Sequence, residues 1–398
     1  VKVPLAAQLQ WEAAVVVTRK LWIGLIFLVL GIQNVLASIN SKAKFFINAY
    51  FQDGTEGHQV FDNSNKEDVS VLEPMLFVDY KIDENTDVKV HLAFDTWTAA
   101  SDTKLDGNTG ASGEGIGRQG RIGGKIGILK DKKTWAYGAN IGVSTEYDYK
   151  SLNFSGTWEG RFKEENFVVS LTPQLYLDQA KDFNLQTNKT SEFKGRVISA
   201  MDISASQLLS VRDIISFGYT FISMNGKLNN ISNSVKVIDN PYGNSFSRVE
   251  ERLPNGRDRH ALSTKFVHGF SDEFAMHLNY RYYMDDWDIK AHTAEAGLRM
   301  SFFEGNAFVV PSYRYYSQDQ TKYYYKELPT SKTLMTADSD LSSFDSHRLG
   351  VHYEQIIGDK KVSKYELLDF TLTSGLYYYK RSHDLNYLIV QLGVGTEF

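Results

Sequence analysis

Asp87-Val88-Lys89-Val90-His91-Leu92-Ala93-Phe94-Asp95-Thr96-Trp97 is the stretch on which the fold turns. Its even positions Val88, Val90, Leu92 and Phe94 are apolar, while the odd positions Asp87, Lys89, His91 and Asp95 are polar. Successive side chains of a strand point to opposite faces, so the segment reads as one strand with an apolar face and a polar face. It is longer than the common soluble strand of about 5–6 residues. It suits the roughly 9–11 residues that cross a bilayer at a tilt.

The same period recurs on both sides. Ala43 to Phe51 opens it, and Trp135, Tyr137, Ala139, Ile141 and Val143 repeat it. Phe167, Val169, Leu171 and Leu175 follow, then Ile215, Phe217, Tyr219 and Phe221. Candidate strands start near Ala43, Val69, Asp87, Gly120, Thr134, Tyr149, Asn166, Lys194, Arg212, Arg259, Phe274, Ala291, Ala307, Ser346, Lys364 and Asn386. Short connections (Lys81–Thr86, Lys130–Lys133, Glu159–Glu165, Ser206–Val211, Gly269–Glu273, Phe303–Asn306, Ile357–Ser363) alternate with longer ones. The longer ones are Gln52–Asp68, Thr98–Gln119, Leu177–Phe193, Met224–Asp258 and Gln318–Asp345, and three further outer connections near Glu146, Asp286 and His383 stay short. Short turns at one rim and long loops at the other are the arrangement of an outer-membrane barrel. The expected fold is all-β: a transmembrane antiparallel up-and-down barrel of about 16 strands, within a range of about 14–18, with both termini at the short-turn rim.

A soluble lectin-like or jelly-roll sandwich would show the same period with the apolar face turned inward. Three features weigh against it. The strands are long. Leu21 to Ala37, after Thr18-Arg19-Lys20, reads as a signal peptide over residues 1–37, with the cut between Ala37 and Ser38. The alternating run Leu388, Val390, Leu392, Val394, Thr396 ends on Phe398, which resembles the signal read by the barrel-insertion machinery. Reading Leu21 to Ala37 as a membrane anchor instead meets a marginal length and the polar pair Gln33-Asn34. Residues before Thr18 fit no signal peptide, which moves the expected start to Val15–Val17. Residues 38–398 are then a single barrel domain. With the first strand so close to the cut, no plug domain is expected, which argues against a siderophore-type transporter.

Composition narrows the function. The net charge is −5 with no long basic run, so nucleic acid is not an expected partner. No cysteine occurs among the 398 residues, which removes disulfides, cysteine-bound zinc, iron–sulfur clusters, a thiol nucleophile and a lipid-modified cysteine. The 23 Tyr and 24 Phe suit strands and the aromatic girdles of a membrane interface, and outer-membrane lipids are expected partners.

Alternation also assigns a lumen face. In the strand from Phe274, Met276, Leu278, Tyr280 and Tyr282 face lipid, leaving His277, Asn279, Arg281, Tyr283 and Asp285 to the lumen. Neighbouring strands add Thr293, Glu295 and Arg299, then Ser312, Arg314 and Gln318, then Arg348, His352 and Glu354. These groups either pair and brace the wall or form a selective polar path or a docking surface for a plug. Asp285, Asp286, Asp288 and His292 cluster in sequence at a short outer loop, with Asp338 and Asp340 in the next long one. They read first as a solvated turn; a divalent-cation site or water activation is the sharper alternative. Gly113-Glu114-Gly115-Ile116-Gly117 reads as a flexible loop, because it does not open a helix after a buried parallel strand. No serine, histidine and acid form a hydrolase motif, so neither an enzyme nor a cofactor is expected.

From Asp239 to His352 the chain resembles an uncharacterised outer-membrane family, domain of unknown function 3570. The resemblance rests on Asn240-Pro241-Tyr242, Arg257-Asp258-Arg259-His260-Ala261, Tyr280-Arg281-Tyr282-Tyr283 with Asp285-Asp286-Trp287, and His292-Thr293-Ala294-Glu295. It continues through Tyr313-Arg314-Tyr315-Tyr316-Ser317-Gln318 and Leu341-Ser342-Ser343-Phe344 before His347. Where the family shows Ala-Asp-Phe-Tyr after this run, the chain reads Gln320-Thr321-Lys322-Tyr323. The resemblance implies an outer-membrane barrel without an established activity. It also implies a setting with a small lipoprotein and thioredoxin-like or flavin-transferring proteins, hence an envelope redox or export partner. Two functions are therefore expected: a channel or export conduit constricted by the Met224–Asp258 loop, or a non-conducting scaffold for such a partner.

Overall fold

The computed structural model describes residues 41–54, 69–97, 119–181, 183–184, 187, 189–230, 233–240, 245–362, 365–383 and 385–397. The expected signal peptide and cut at Ala37, the Gly113–Gly117 loop, Pro241, Tyr242 and Phe398 lie outside the described residues.

In chain order the strands are β1 Lys42–Gly54, β2 Val69–Asp83, β3 Thr86–Trp97, β4 Gln119–Lys132, β5 Trp135–Thr145, β6 Tyr149–Phe162 and β7 Phe167–Ala180. Then come β8 Phe183–Asn184, β9 Lys189–Thr190, β10 Lys194–Ser210, β11 Asp213–Gly226, β12 Ser234–Asn240, β13 Ser245–Glu250 and β14 Gly256–Gly269. The last are β15 Phe274–Asp285, β16 Lys290–Phe302, β17 Ala307–Gln318, β18 Glu327–Leu328, β19 Phe344–Val362, β20 Tyr365–Arg381 and β21 Leu385–Glu397. All but β8, β9, β12, β13 and β18 form one closed antiparallel barrel of 16 strands. Every expected start falls beside the first residue of a wall strand; the largest gap is Arg259 against Gly256.

Closure is complete. β1 pairs with β21 from Lys42↔Glu397 to Gly54↔Leu385, so no edge is left with unpaired backbone groups. Lys42 and Glu397 add an ion pair at the inner end of this seam. The register keeps one parity outside all round the wall. Ile122, Ile126 and Ile128 on β4, Val143 on β5, Phe217 on β11 and Leu349 on β19 are large apolar side chains exposed on the outer face. A continuous apolar exterior on a closed barrel fits only a lipid surrounding, and the protein is an outer-membrane β-barrel. The long outer connections carry small strands of their own: β8 pairs with β9, and β12, β13 and β18 form a three-stranded sheet.

Candidate functional site

Two long connections merge into one cap at the outer rim. β12 and β13 pair as a hairpin, and β18 from the other connection joins in parallel, with Lys236 opposite Glu327 and Val237 opposite Leu328. Val235, Leu328 and Met335 make a small buried core, with Val249, Tyr325 and Ala337 packed against it. Burying an aliphatic side chain is worth roughly 1.5–3 kcal/mol, enough to hold the connections together. The backbones of Arg252 and Met335 exchange hydrogen bonds of 2.9 and 2.8 Å. The Arg252 guanidinium donates to Ser331 Oγ at 2.7 Å.

Two carboxylates are sealed in this cap. Glu251 accepts from the Asn230 amide at 2.8 Å, from Thr336 Oγ1 at 2.5 Å and from Asn233 Nδ2 at 3.2 Å. Asp338 accepts from Asn230 Nδ2 at 2.7 Å and Asn233 Nδ2 at 3.0 Å. Burial pushes the Glu251 carboxyl above its ordinary value; the bonds from Thr336 and Asn230 pull it back, and neighbouring Asp338 pushes it up.

Trp287 ties the cap to the wall. It is buried in the short β15–β16 turn, and its indole N–H donates to the Gly256 carbonyl at 3.0 Å. Its own carbonyl accepts from Thr321 Oγ1 at 2.8 Å and from the Lys322 amide at 3.1 Å. Asp285 shapes this turn. One oxygen accepts the amides of Trp287 and Ile289, both at 3.0 Å, and the other takes Arg257 at 2.5 Å and the Tyr283 hydroxyl at 2.7 Å. Asp286 accepts the Asp258 amide at 3.0 Å, and Asp288 lies 3.7 Å from the Lys322 ammonium. The cluster read from the sequence therefore divides: Asp285 faces inward, while His292 sits on the lipid face of β16 and shares a hydrogen bond with Tyr280. Among the described residues no three acids, histidines or cysteines gather as metal ligands.

Below the cap, on the inner wall, lies a cavity of about 390 Å³ lined by Arg314, Tyr316, Asp340, Phe344, Ser346, Arg348, Tyr379, Arg381 and Tyr387. Arg348 donates to Glu295 at 2.8 Å. Arg381 donates to Asp340 at 2.7 Å and to the Tyr379 hydroxyl at 3.2 Å, and its guanidinium lies 4.0 Å over the Phe344 ring. Tyr379 stacks on Tyr387 at 4.2 Å, and Tyr387 packs on Tyr50 at 5.0 Å. Asp340 belongs to the 319–343 connection, so that loop bends inward onto inner-face residues of β17 and β20. Gln318 fixes it there by donating to the carbonyls of Asp340 and Ser342 at 2.9 and 2.6 Å.

A sequence profile described as "Protein of unknown function (DUF3570)" matches residues 124–385. The chain belongs to the DUF3570 family. No curated protein matches it. Among solved structures, this DUF3570 barrel is similar to a bacterial polysaccharide outer-membrane secretin, at 10% identity over 89% of this chain and 98% of that one, TM-score 0.46. It is also similar to OpdK of Pseudomonas aeruginosa, solved with vanillate, at 8% identity over 90% and 98%, TM-score 0.43. A BenF-like porin from Pseudomonas fluorescens matches at 8% identity over 91% and 100%, TM-score 0.45.

Within the DUF3570 barrel the remaining residues picked out by alternation take separate places. Arg281 and Arg299 are exposed on the inner face, and Arg299 covers the Phe308 ring at 4.2 Å. His277 lies over Gly297, where a Cβ would stand 2.2 Å from the imidazole, so a larger residue there would displace the His277 ring. His352 packs beside Phe308 at 5.9 Å, and Glu354 stands opposite Phe308 in the ladder. Of the ionic network expected among Arg281, Glu295, Arg299, Arg314 and Arg348, the geometry joins Glu295 with Arg348. Arg257, at the end of the Met224–Asp258 connection, pairs with Asp285 of β15, and Asp340 of the 319–343 connection pairs with Arg381 of β20. Asn240 closes β12 through its backbone. Sequence reading missed Arg381, Tyr379 and Tyr387, and singled out Phe344 only for the family resemblance. The signal was Tyr377-Tyr378-Tyr379-Lys380-Arg381, another aromatic run ending in arginine.

Proposed function

We propose that this outer-membrane, channel-like barrel passes small anionic solutes, with the cavity of Arg314, Arg348 and Arg381 as its selective step beneath a constricting cap. The carrying observation is the convergence of three guanidiniums from three adjacent strands on one inner-wall cavity. Asp340 and Glu295 offset part of that charge and leave the cavity net positive. Guanidinium forks bind carboxylates or phosphates in a bidentate manner, and the stacked tyrosines beside them offer faces to a planar solute. Arg259, Arg281 and Arg299 extend the positive side along β14–β16, where Asp285 offsets Arg257, while Asp202 lies on the inner face of β10 and Asp178 of β7 pairs with Arg196. Fixed charges of one sign in a narrow lumen raise the local concentration of the opposite ion.

Liposome swelling with isosmotic gluconate, N-acetylglucosamine and lysine tests the reading. Gluconate should enter fastest, and loss of that preference in Arg314→Ser/Arg348→Ser/Arg381→Ser should follow. Equal rates for all three solutes would contradict it. The second reading, a scaffold for a small lipoprotein or an envelope redox or export partner, draws support from the cap, whose own core gives it a fixed outer surface. It predicts no swelling with any solute and recovery of a stoichiometric partner from native membranes.

A further inference from the structure

The outer, lipid-facing surface carries a second hollow, unconnected with solute passage. It is a groove of about 340 Å³ across β14 to β17. Ala294 and Ala296 floor it, Leu278 and Tyr280 bank it on one side, and Tyr313 and Tyr315 bank it on the other. Small side chains on one strand between large ones on its neighbours leave a channel as wide as a strand spacing. Since this face lies in lipid, the chain that fills such a channel is an acyl chain.

The groove has a polar end. Toward the long-loop rim, the outward rim of outer-membrane barrels, Tyr280 shares a 2.7 Å hydrogen bond with Nδ1 of His292, and Tyr313 shares one of 2.7 Å with Nδ1 of His347. Both histidines are exposed. A tyrosine hydroxyl donating to Nδ1 leaves Nε2 to carry the ring hydrogen and act as a donor. Lys290 precedes His292 on the same face of β16, and Lys380 stands opposite His347 in the ladder. One carboxylate shares this end, Asp345, which accepts the Tyr315 hydroxyl at 2.8 Å. Apolar tail space below and an excess of cationic and N–H donor groups above match a lipid with an anionic head.

We propose that this groove binds one acyl chain of a phosphate-bearing glycolipid of the outer leaflet, with Lys290 and His292 of β16 on one side of β17 and His347 of β19 on the other as donors to its phosphates. Charge-assisted bonds from these donors recognise the head, and the alanine floor admits the chain. The site predicts a fixed lipid at one place on the wall rather than a uniform annulus.

Native mass spectrometry of the purified protein with bis-phosphorylated lipid A, enzymatically dephosphorylated lipid A and phosphatidylcholine tests it. The expected result is one retained lipid A per barrel, with about tenfold weaker retention of the dephosphorylated form. Ala294→Leu/Ala296→Leu, which fills the floor, should lose the retained lipid. Lys290→Gln/His292→Gln/His347→Gln should erase the phosphate preference. Heat-modifiable mobility checks that each variant is folded; if a variant is not, the wild-type comparison of phosphorylated and dephosphorylated lipid decides alone. Equal retention of all three lipids by the wild type overturns the proposal, as does wild-type retention in either folded variant.

Discussion

Replacing Met335 by alanine tests whether the cap is held by its own core. Met335 is fully buried against Val235 and Leu328. Truncating a buried methionine costs about 2–5 kcal/mol. Here the core is small and edged by half-buried Val249 and Tyr325, which can settle into the gap, so the lower end applies. A cost of about 2 kcal/mol raises the open fraction of a local unit roughly 30-fold. The amides of Arg252, Tyr325, Met335 and Thr336 all bond within the cap and report on it. Hydrogen exchange should speed up at those amides by roughly that factor, while amides of β15 and β16 stay as slow as in the wild type. Unchanged cap exchange, or acceleration spread evenly over cap and wall, would refute the idea of a separately cored cap.

Further predictions concern the same outer structure. Closed-cap Glu251 keeps its proton to a higher pH than open-cap Glu251, because burial raises it. The stabilisation is complete below the ordinary glutamate value and is lost as pH rises through the raised one. Cap exchange should therefore quicken as pH climbs through that window, after correction for intrinsic rates, and Glu251→Gln should flatten the dependence. Trp287→Ala removes the buried indole under Thr321 and Lys322, at a cost of about 3–5 kcal/mol. Protease added to intact cells should then cut the 319–343 connection faster than in the wild type; cutting seen in lysed cells alone would put this rim on the wrong side of the membrane.

The wall was legible in the sequence because a strand in a barrel announces itself twice, by its period and by its turns. Asp87–Trp97 and Phe274–Asp285 each carry the pattern unaided. The cap was not legible in the same way. Ser234-Val235-Lys236-Val237 alternates, but its partners Glu327 and Leu328 lie far along the chain, and sequence period does not say which distant segment pairs with it. Parity alone separates His292 from Asp285, since odd residues of β15 and β16 face inward and even ones face lipid; the acidic cluster was read from proximity in sequence instead. The cavity was half legible. Arg314 and Arg348 follow from alternation, whereas their meeting with Arg381 depends on the register β17–β19–β20, which the sequence does not print. Asp340 was read with the acidic cluster instead, because a loop residue carries no alternation to show that it reaches the wall.

Reversal potential in a planar bilayer under a potassium chloride gradient tests the central claim most directly. The purified wild type, with Met335→Ala used to open the cap if the wild type conducts rarely, should show a reversal potential of the sign that marks chloride as the preferred ion. Arg314→Ser/Arg348→Ser/Arg381→Ser should move it toward potassium, because the fixed positive charge of the cavity is gone while Glu295 and Asp340 remain. A wild type that prefers potassium, a reversal potential unmoved by the triple substitution, or silence even with the cap loosened would contradict an anion-selective lumen.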